Sequence, residues 1–364
     1  MKQPLSLFMK SFVAGESNLP VLNLDTCTSD YFDDTSPNFF IKTCADLNFQ
    51  NLVGVRQSTL EDTLKQEILT FLQIKSRLTP DNIIFGFGSY SILERLASKV
   101  LPRGTMIGEF PQFPYFPLEY TLVGGTYLGV SFDDAGLPAN KILETIADTQ
   151  DIKVIYINNP NNPTGQTWSR LKILEILEEA MRKNIFVIID EVYADLLPVT
   201  ESFAGLVNDY ENLVIVRSFS KIFGLQNLRV GYMIAHPSFI QKYQTLCNWN
   251  EVTNIGALSA TALLKDAAYR NDLEKTCAEN KKTLIKICGE AGYTVSPTHP
   301  LVPLLWLRAP ENQNAQEYFR LRNMKVGNNV PYTMLVENFP QNYCRIRVPN
   351  DFQIIEEIQT RLCE

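Results

Sequence analysis

The residues of this chain with the most chemistry to offer lie between positions 214 and 233, where Ser218, Ser220 and Lys221 follow one apolar run and Arg229 opens another. A lysine set between two strands is open to desolvation, which disfavours the ammonium form and leaves an amine that attacks carbonyls. Two hydroxyls and an arginine are phosphate ligands, the arginine through paired charge-assisted hydrogen bonds. An amine beside a phosphate cradle suggests pyridoxal phosphate. Taken alone, Ser-x-Ser-Lys describes a solvated turn equally well, so the rest of the chain must supply the partners.

Those partners would be a carboxylate for a protonated pyridine nitrogen, donors for a phenolic oxygen, an aromatic face for the ring, and amides for the phosphate. Each residue type occurs where an apolar run gives way to polar residues: Gly86-Phe-Gly88-Ser89-Tyr90, Pro111-Gln-Phe113, Asn159-Pro-Asn161-Asn162-Pro-Thr-Gly165 and Asp190-Glu-Val-Tyr193. Any one has a bland reading. Gly86–Tyr90 serves as an ordinary tight turn, Asp190 as a helix cap, Asn162 as a turn former, and Phe113 as a core aromatic.

The elements that must carry these residues alternate. Apolar spacing predicts a helix over 58–72, a strand over 82–87, a helix over 91–101, strands over 105–110, 126–132 and 153–158, a helix over 169–183 and a strand over 185–189. Strands alternating with helices at this spacing imply an α/β fold with a mainly parallel sheet flanked by helices, whose sites lie at the carboxyl ends of its strands. Helices are then predicted over 237–247, 254–265 and 272–291, followed by a small α+β unit with strands over 304–307 and 344–348. The expected organisation is an arm or lid over 1–55, outside any core, a large domain over 56–275 and a small C-terminal domain over 276–364.

Composition narrows the function classes. The 364 residues are 45% hydrophobic and 20% charged, ordinary for a chain with a sizeable core. There are 33 Lys and Arg against 40 Asp and Glu, a net charge of -7, and no basic block of the kind that tracks nucleic acid. No run approaches a membrane span and no signal peptide is visible, so a cytoplasmic protein is expected. Seven scattered cysteines and two histidines, His236 and His299, form no metal-ligand pattern.

In order and spacing, Asn161-Asn162-Pro-Thr-Gly165, Asp190-Glu-Val-Tyr193, Ser218-Phe-Ser220-Lys221 with Arg229 eight residues on, and Arg345-Ile-Arg347-Val resemble the fold-type I pyridoxal-phosphate enzymes of aminotransferase class I/II. The branch they resemble is that of histidinol-phosphate aminotransferases and threonine-phosphate decarboxylases, over roughly residues 55–364. The resemblance implies that Lys221 bonds the cofactor, pyridoxal 5′-phosphate, and later moves the proton at the substrate α-carbon. It implies that Asp190 holds the pyridine nitrogen, that Asn162 and Tyr193 bind the ring phenolate, and that Phe113 stacks on the ring. Gly88, Ser89 and Tyr90 would offer amides to the phosphate, joined by Ser218, Ser220 and Arg229. Arg345 would clamp the carboxylate of a small-molecule amino-acid substrate, with Arg347 as the alternative clamp. A homodimer is expected on the same ground.

Three departures bear on the substrate. The family's Asn-Glu-Asn-Pro segment is replaced around 27–31, its cross-subunit tyrosine has no counterpart in 52–56, and the arginine that histidinol-phosphate enzymes use for the substrate phosphate falls near Gly327-Asn328-Asn329. Losing that arginine argues against a phosphorylated substrate; carboxylates of the acidic arm over a pocket would favour a basic, arginine-like substrate, while the same acids serve equally well as a solvated face, and transamination is expected as the commonest reaction of the family. The alternative is elimination and cyclisation of a hydroxylated arginine, as in capreomycidine synthases; an amino-acid decarboxylase or a cofactor-binding regulator without turnover stands behind it.

Overall fold

A computed structural model of the chain describes residues 20–25, 58–132, 136–247 and 251–363. The altered segments 27–31 and 52–56 lie outside them. A two-residue strand, β1 (Leu22–Asn23), comes first. The main sheet then has seven strands: β2 (Ile83–Phe87), β3 (Thr105–Phe110), β4 (Thr126–Ser131), β5 (Ile152–Asn158), β6 (Phe186–Asp190), β7 (Leu213–Ser218) and β8 (Val230–Ala235), in the order β2-β8-β7-β6-β5-β3-β4.

Runs such as Val154-Ile-Tyr-Ile157 and Val187-Ile-Ile189 are apolar on both faces because helices cover both faces of the sheet. Successive side chains alternate sides. Ile155, Ile157, Val187, Ile189 and Ile215 enter one core, while Val154, Tyr156, Ile188, Val214 and Val216 enter the other. Burying each such aliphatic side chain is worth about 1.5–3 kcal/mol, which fixes the strands far more firmly than their loops.

Strand direction positions the site. β3 to β7 are mutually parallel, whereas β8 runs antiparallel to both β7 and β2. The amino end of β8 therefore lies at the same sheet edge as the carboxyl ends of β2, β3, β5, β6 and β7. That reversal delivers Arg229, immediately before β8, to the edge where Gly88, Asp190 and Lys221 leave the sheet.

The helix over Ala267–Glu290 starts before its expected position at 272, because Asp266 caps it: Asp266 Oδ1 accepts the Tyr269 N–H at 2.9 Å. It gives Tyr269, Leu273 and Cys277 to the larger core and Leu284, Ile287 and Cys288 to a C-terminal one. In the C-terminal unit β9 (Thr294–Val295), β10 (Leu304–Arg308) and β12 (Tyr343–Arg347) form an antiparallel sheet in the order β12-β10-β9, and β11 (Met324–Lys325) pairs in parallel with β1. This corrects the expectation of an arm outside any core, at least for its described part. Leu24 is fully buried in the C-terminal core. Among the described residues no helix is long and apolar enough to cross a membrane.

Candidate active site

A cavity of about 660 Å³ opens where these strand ends meet, lined by Ser89, Tyr90, Phe113, Asn162, Asp190, Tyr193, Ser220, Lys221, Arg229 and Arg345. Ten of the residues expected from sequence thus line this cavity. Gly88 and Ser218 contribute differently from expectation.

Gly88 holds a left-handed backbone (φ 76°), and a Cβ there would fall 2.5 Å from Arg229 Nη2, so the guanidinium packs directly on the glycine. Its N–H is already donated to Gly86 O at 2.8 Å and Arg229 O at 2.9 Å, which corrects the expectation of a phosphate-binding amide there. Ser89 and Tyr90 instead open the helix Ser89–Arg95, where the first N–H groups have no acceptor within the helix. The Tyr90 hydroxyl is given to Glu119. Arg229 itself is left-handed (φ 53°), a conformation unfavourable for a residue with a Cβ, and among the described residues its guanidinium makes long bonds, 3.3 Å each, to Phe87 O and Gln226 O.

Ser218 is buried and does not line the cavity. Its hydroxyl accepts the Ser220 N–H at 3.0 Å and donates to Val230 O at 3.4 Å, so it builds the turn and is not turned toward a phosphate. Ser220 Oγ, by contrast, is buried at the cavity without a hydrogen-bond partner among the described residues. A buried hydroxyl lacking a partner costs stability unless something fills its valence. Beside Arg229 and the helix start, a phosphate fits that need.

Asp190, the last residue of β6, accepts the Tyr156 hydroxyl at 2.9 Å on Oδ2 and the Val192 N–H at 3.1 Å on Oδ1. Burial pushes its carboxyl up to about 6, opposed by those two hydrogen bonds and by the charge of Lys221. A carboxylate made uncomfortable by burial is suited to a cationic ring N–H. The donor set therefore fits pyridoxal 5′-phosphate: Asp190 for the ring nitrogen, Lys221 for the aldehyde carbon, and Ser220, Arg229 and the helix start for the phosphate.

At the other end, Arg345 Nη1 donates to Asn162 Oδ1 at 3.1 Å, and Nη2 donates to Asp25 Oδ1 at 2.7 Å and Asp25 O at 2.9 Å. Arg347 is buried away from the cavity, its Nε donating to Asn23 O at 2.9 Å. Phe113 both packs against the core behind the sheet and lines the cavity, its N–H fixed on Asn158 Oδ1 at 2.6 Å. The two asparagines that stand near the missing arginine build a turn: Asn328 Oδ1 accepts the Val330 N–H and Asn329 Nδ2 donates to Tyr343 O.

Several groups escaped the sequence reading. Glu109, fully buried in β3, accepts the Asn158 N–H at 2.8 Å and Asn161 Nδ2 at 3.3 Å, tying the Phe113 and Asn162 loops to one carboxyl that burial pushes up to about 8. Arg217 bridges Glu191 at 2.5 Å and Asp195 at 2.7 Å, all three buried, which anchors the loop after Asp190. Tyr156 and Asp25 complete the set. Glu109 within an apolar strand run was the one signal open to reading, since a carboxylate there must be neutralised or hydrogen-bonded.

Against known proteins, the chain is 30% identical over 238 residues to histidinol-phosphate aminotransferase 2 of Hydrogenovibrio crunogenus, covering 65% of this chain and 62% of that one. It is 29% identical over 269 residues to a histidinol-phosphate aminotransferase of a Thermoanaerobacter species, covering 72% of each. The match thus spans somewhat less than two thirds of the first of these relatives. Among solved structures, the histidinol-phosphate aminotransferase of Clostridium acetobutylicum superimposes with a TM-score of 0.79 at 18% identity, covering 94% of this chain and 99% of that one. The Sinorhizobium meliloti enzyme in complex with pyridoxal-5′-phosphate gives 0.77 at 18% identity, over 100% and 97%. The fold is that of fold-type I aminotransferases. The family match runs over residues 20–351, so it begins well before residue 55 and takes in β1 and Asp25. By that match the chain belongs to the aminotransferase class I and II family, whose cofactor is pyridoxal 5′-phosphate.

Proposed function

We propose that this protein is an aminotransferase of the histidinol-phosphate aminotransferase-like group, moving an amino group between a small amine or amino acid and an oxo acid, with Arg345 holding the carboxylate of whichever partner carries one. The observation that carries this reading is the convergence of Lys221, Asp190, Arg229 and Arg345 on one cavity. The cofactor, when bound, supplies an electron sink for the bond broken at the substrate α-carbon. Asp190 keeps a proton on the ring nitrogen. Lys221 would hold the aldehyde carbon of the cofactor and would move the proton at the substrate α-carbon. Asn162 and Tyr193 orient the ring oxygen, and Arg229, Ser220 and the helix start anchor the phosphate. Phe113 would stack on the cofactor ring, and Tyr115, Val192 and Pro160 add an apolar, aromatic lining to the same cavity.

The arginine-like substrate draws no support from the geometry. Of the arm's acids only Asp25 lies among the described residues, and it faces two cations, Arg345 at 2.7 Å and Lys325 at 3.6 Å. It leaves little negative potential for a third. The relatives named above are aminotransferases, which favours transamination over decarboxylation or cyclisation. A homodimer belongs to the same proposal.

The test is to incubate purified protein, pyridoxal 5′-phosphate and 2-oxoglutarate with a panel of amino acids and amino alcohols, histidinol phosphate included. Stoichiometric glutamate and oxo product support the proposal. Products formed without glutamate overturn transamination.

A further inference from the structure

The amino-terminal strand places a carboxylate on the guanidinium that the α-carboxylate reading requires. β1 is laid down by backbone bonds: Leu22 N–H to Asn323 O at 2.9 Å, Leu24 N–H to Lys325 O at 2.7 Å, and Arg347 N–H to Leu24 O at 2.9 Å. These bonds fix Leu24, so the next side chain, Asp25, enters the cavity on Arg345. A ligand carboxylate prefers two guanidinium nitrogens at once, in a fork-to-fork pair. Here Nη1 serves Asn162 and Nη2 serves Asp25 through both its side chain and its backbone oxygen.

Asp25 also has a second seat. Its Oδ2 lies 3.6 Å from the Lys325 ammonium on β11, the strand that β1 pairs with. Both members of the Asp25–Arg345 pair keep partial exposure, 25% and 18%, so the pair forms part of the cavity wall and can open without breaking into a core.

On the reading of Arg345 as the carboxylate clamp, we propose that Asp25 is a specificity-determining residue, an internal carboxylate that an incoming substrate carboxylate must displace from Arg345 and that then stays with Lys325. Two carboxylates on one nitrogen repel, so an acid gains only the difference between its own pairing and that of Asp25. A ligand without a carboxylate leaves the pair closed and incurs no such cost. Asp25 therefore narrows the gap between acids and their neutral analogues, widening the range of amines the site accepts.

The test uses the holoenzyme and calorimetric titration with propionate, hexanoate and 3-phenylpropionate, each compared with its primary amide. Asp25→Asn keeps the size and backbone of the residue and removes the competing charge. It should lower the Kd of the acids by about two- to fivefold, the scale of a partly exposed ion pair, and leave the amides unchanged. Asp25→Ala should move in the same direction. Acids that bind Asp25→Asn no more tightly than the natural protein, or that bind neither, overturn the displacement. Arg345→Gln separates this from the underlying reading. If it abolishes the preference for acid over amide while Asp25→Asn changes nothing, the clamp stands and the displacement falls. If the preference survives Arg345→Gln, the clamp itself is wrong. Arg345→Lys, which keeps the charge without the fork, replaces the Gln variant if that one does not fold.

Discussion

Gly231 is the residue whose smallest enlargement should separate folding from cofactor binding. It sits in β8 opposite Gly86 of β2 and Ser218 of β7. A Cβ built there would fall 2.3 Å from Ser89 N and 2.3 Å from Gly88 C, whereas ordinary contact begins at 3.4 Å. The obstructed atoms are backbone and cannot swing aside. In Gly231→Ala the Gly88–Ser89 turn must retreat by about 1 Å, an overpacking that costs about 1–3 kcal/mol. The same turn supports Arg229 and starts the phosphate-facing helix, so much of the strain should fall on the cofactor seat. At about 1.4 kcal/mol per decade, the Kd for pyridoxal 5′-phosphate should rise by about 5- to 100-fold. The assay is absorbance titration of the apoprotein with cofactor, with urea unfolding in parallel. Gly289→Ala is the control: no atom of the described residues outside its own helix turn lies within 4 Å of its Cβ, so relief of helix glycine should stabilise by about 0.5–1 kcal/mol with unchanged cofactor affinity. A Gly231→Ala protein that binds cofactor within twofold of the natural one would refute the reasoning.

Arg217→Met should strand Glu191 and Asp195 as buried, uncompensated carboxylates and destabilise by about 3–5 kcal/mol in urea unfolding; a loss under about 1 kcal/mol would show that the pair does not hold the loop after Asp190. Asp190 should give the apoprotein and its cofactor complex opposite pH dependences. Burial raises its folded pKa to about 6, so the folded apoprotein holds that proton more tightly than the unfolded chain does, and the stability this contributes below the ordinary value of 3.8 is lost as pH rises through 6. Cofactor affinity should instead grow through the same window as the carboxylate ionises. Asp190→Asn should remove both trends and weaken cofactor binding by about 10- to 150-fold, the scale of a lost charge-assisted bond; persistence of the pH trends in that variant, measured by melting and by cofactor titration, would remove Asp190 from the ring nitrogen.

What could be read in the sequence was local. The doubly buried strands announced themselves as unbroken apolar runs, and the polar residues that follow them gave Ser89, Phe113, Asn162, Asp190, Tyr193, Ser220 and Lys221, because a parallel sheet brings its strand ends to one edge, whereas Arg345, inside the antiparallel strand β12, came only from the family resemblance. Long-range pairing was out of reach. Nothing near Asp25 signals that it meets Arg345, 320 residues away, and β1 is too short to show alternation. The partner of Arg217 lies across a strand pair, and Glu109 shows its role only once Asn158 and Asn161 stand over it. Ser218 differs from its expected place for a related reason: a hydroxyl's type predicts hydrogen bonding, but whether it bonds its own turn or a ligand depends on its backbone.

The central claim is that Lys221 is the residue that bonds the cofactor. Borohydride reduction of the protein loaded with pyridoxal 5′-phosphate, followed by proteolysis and peptide mass spectrometry, tests it directly. The account predicts a single phosphopyridoxyl adduct, on Lys221, that is absent from Lys221→Ala. An adduct on another lysine, or none on the natural protein under saturating cofactor, would contradict it.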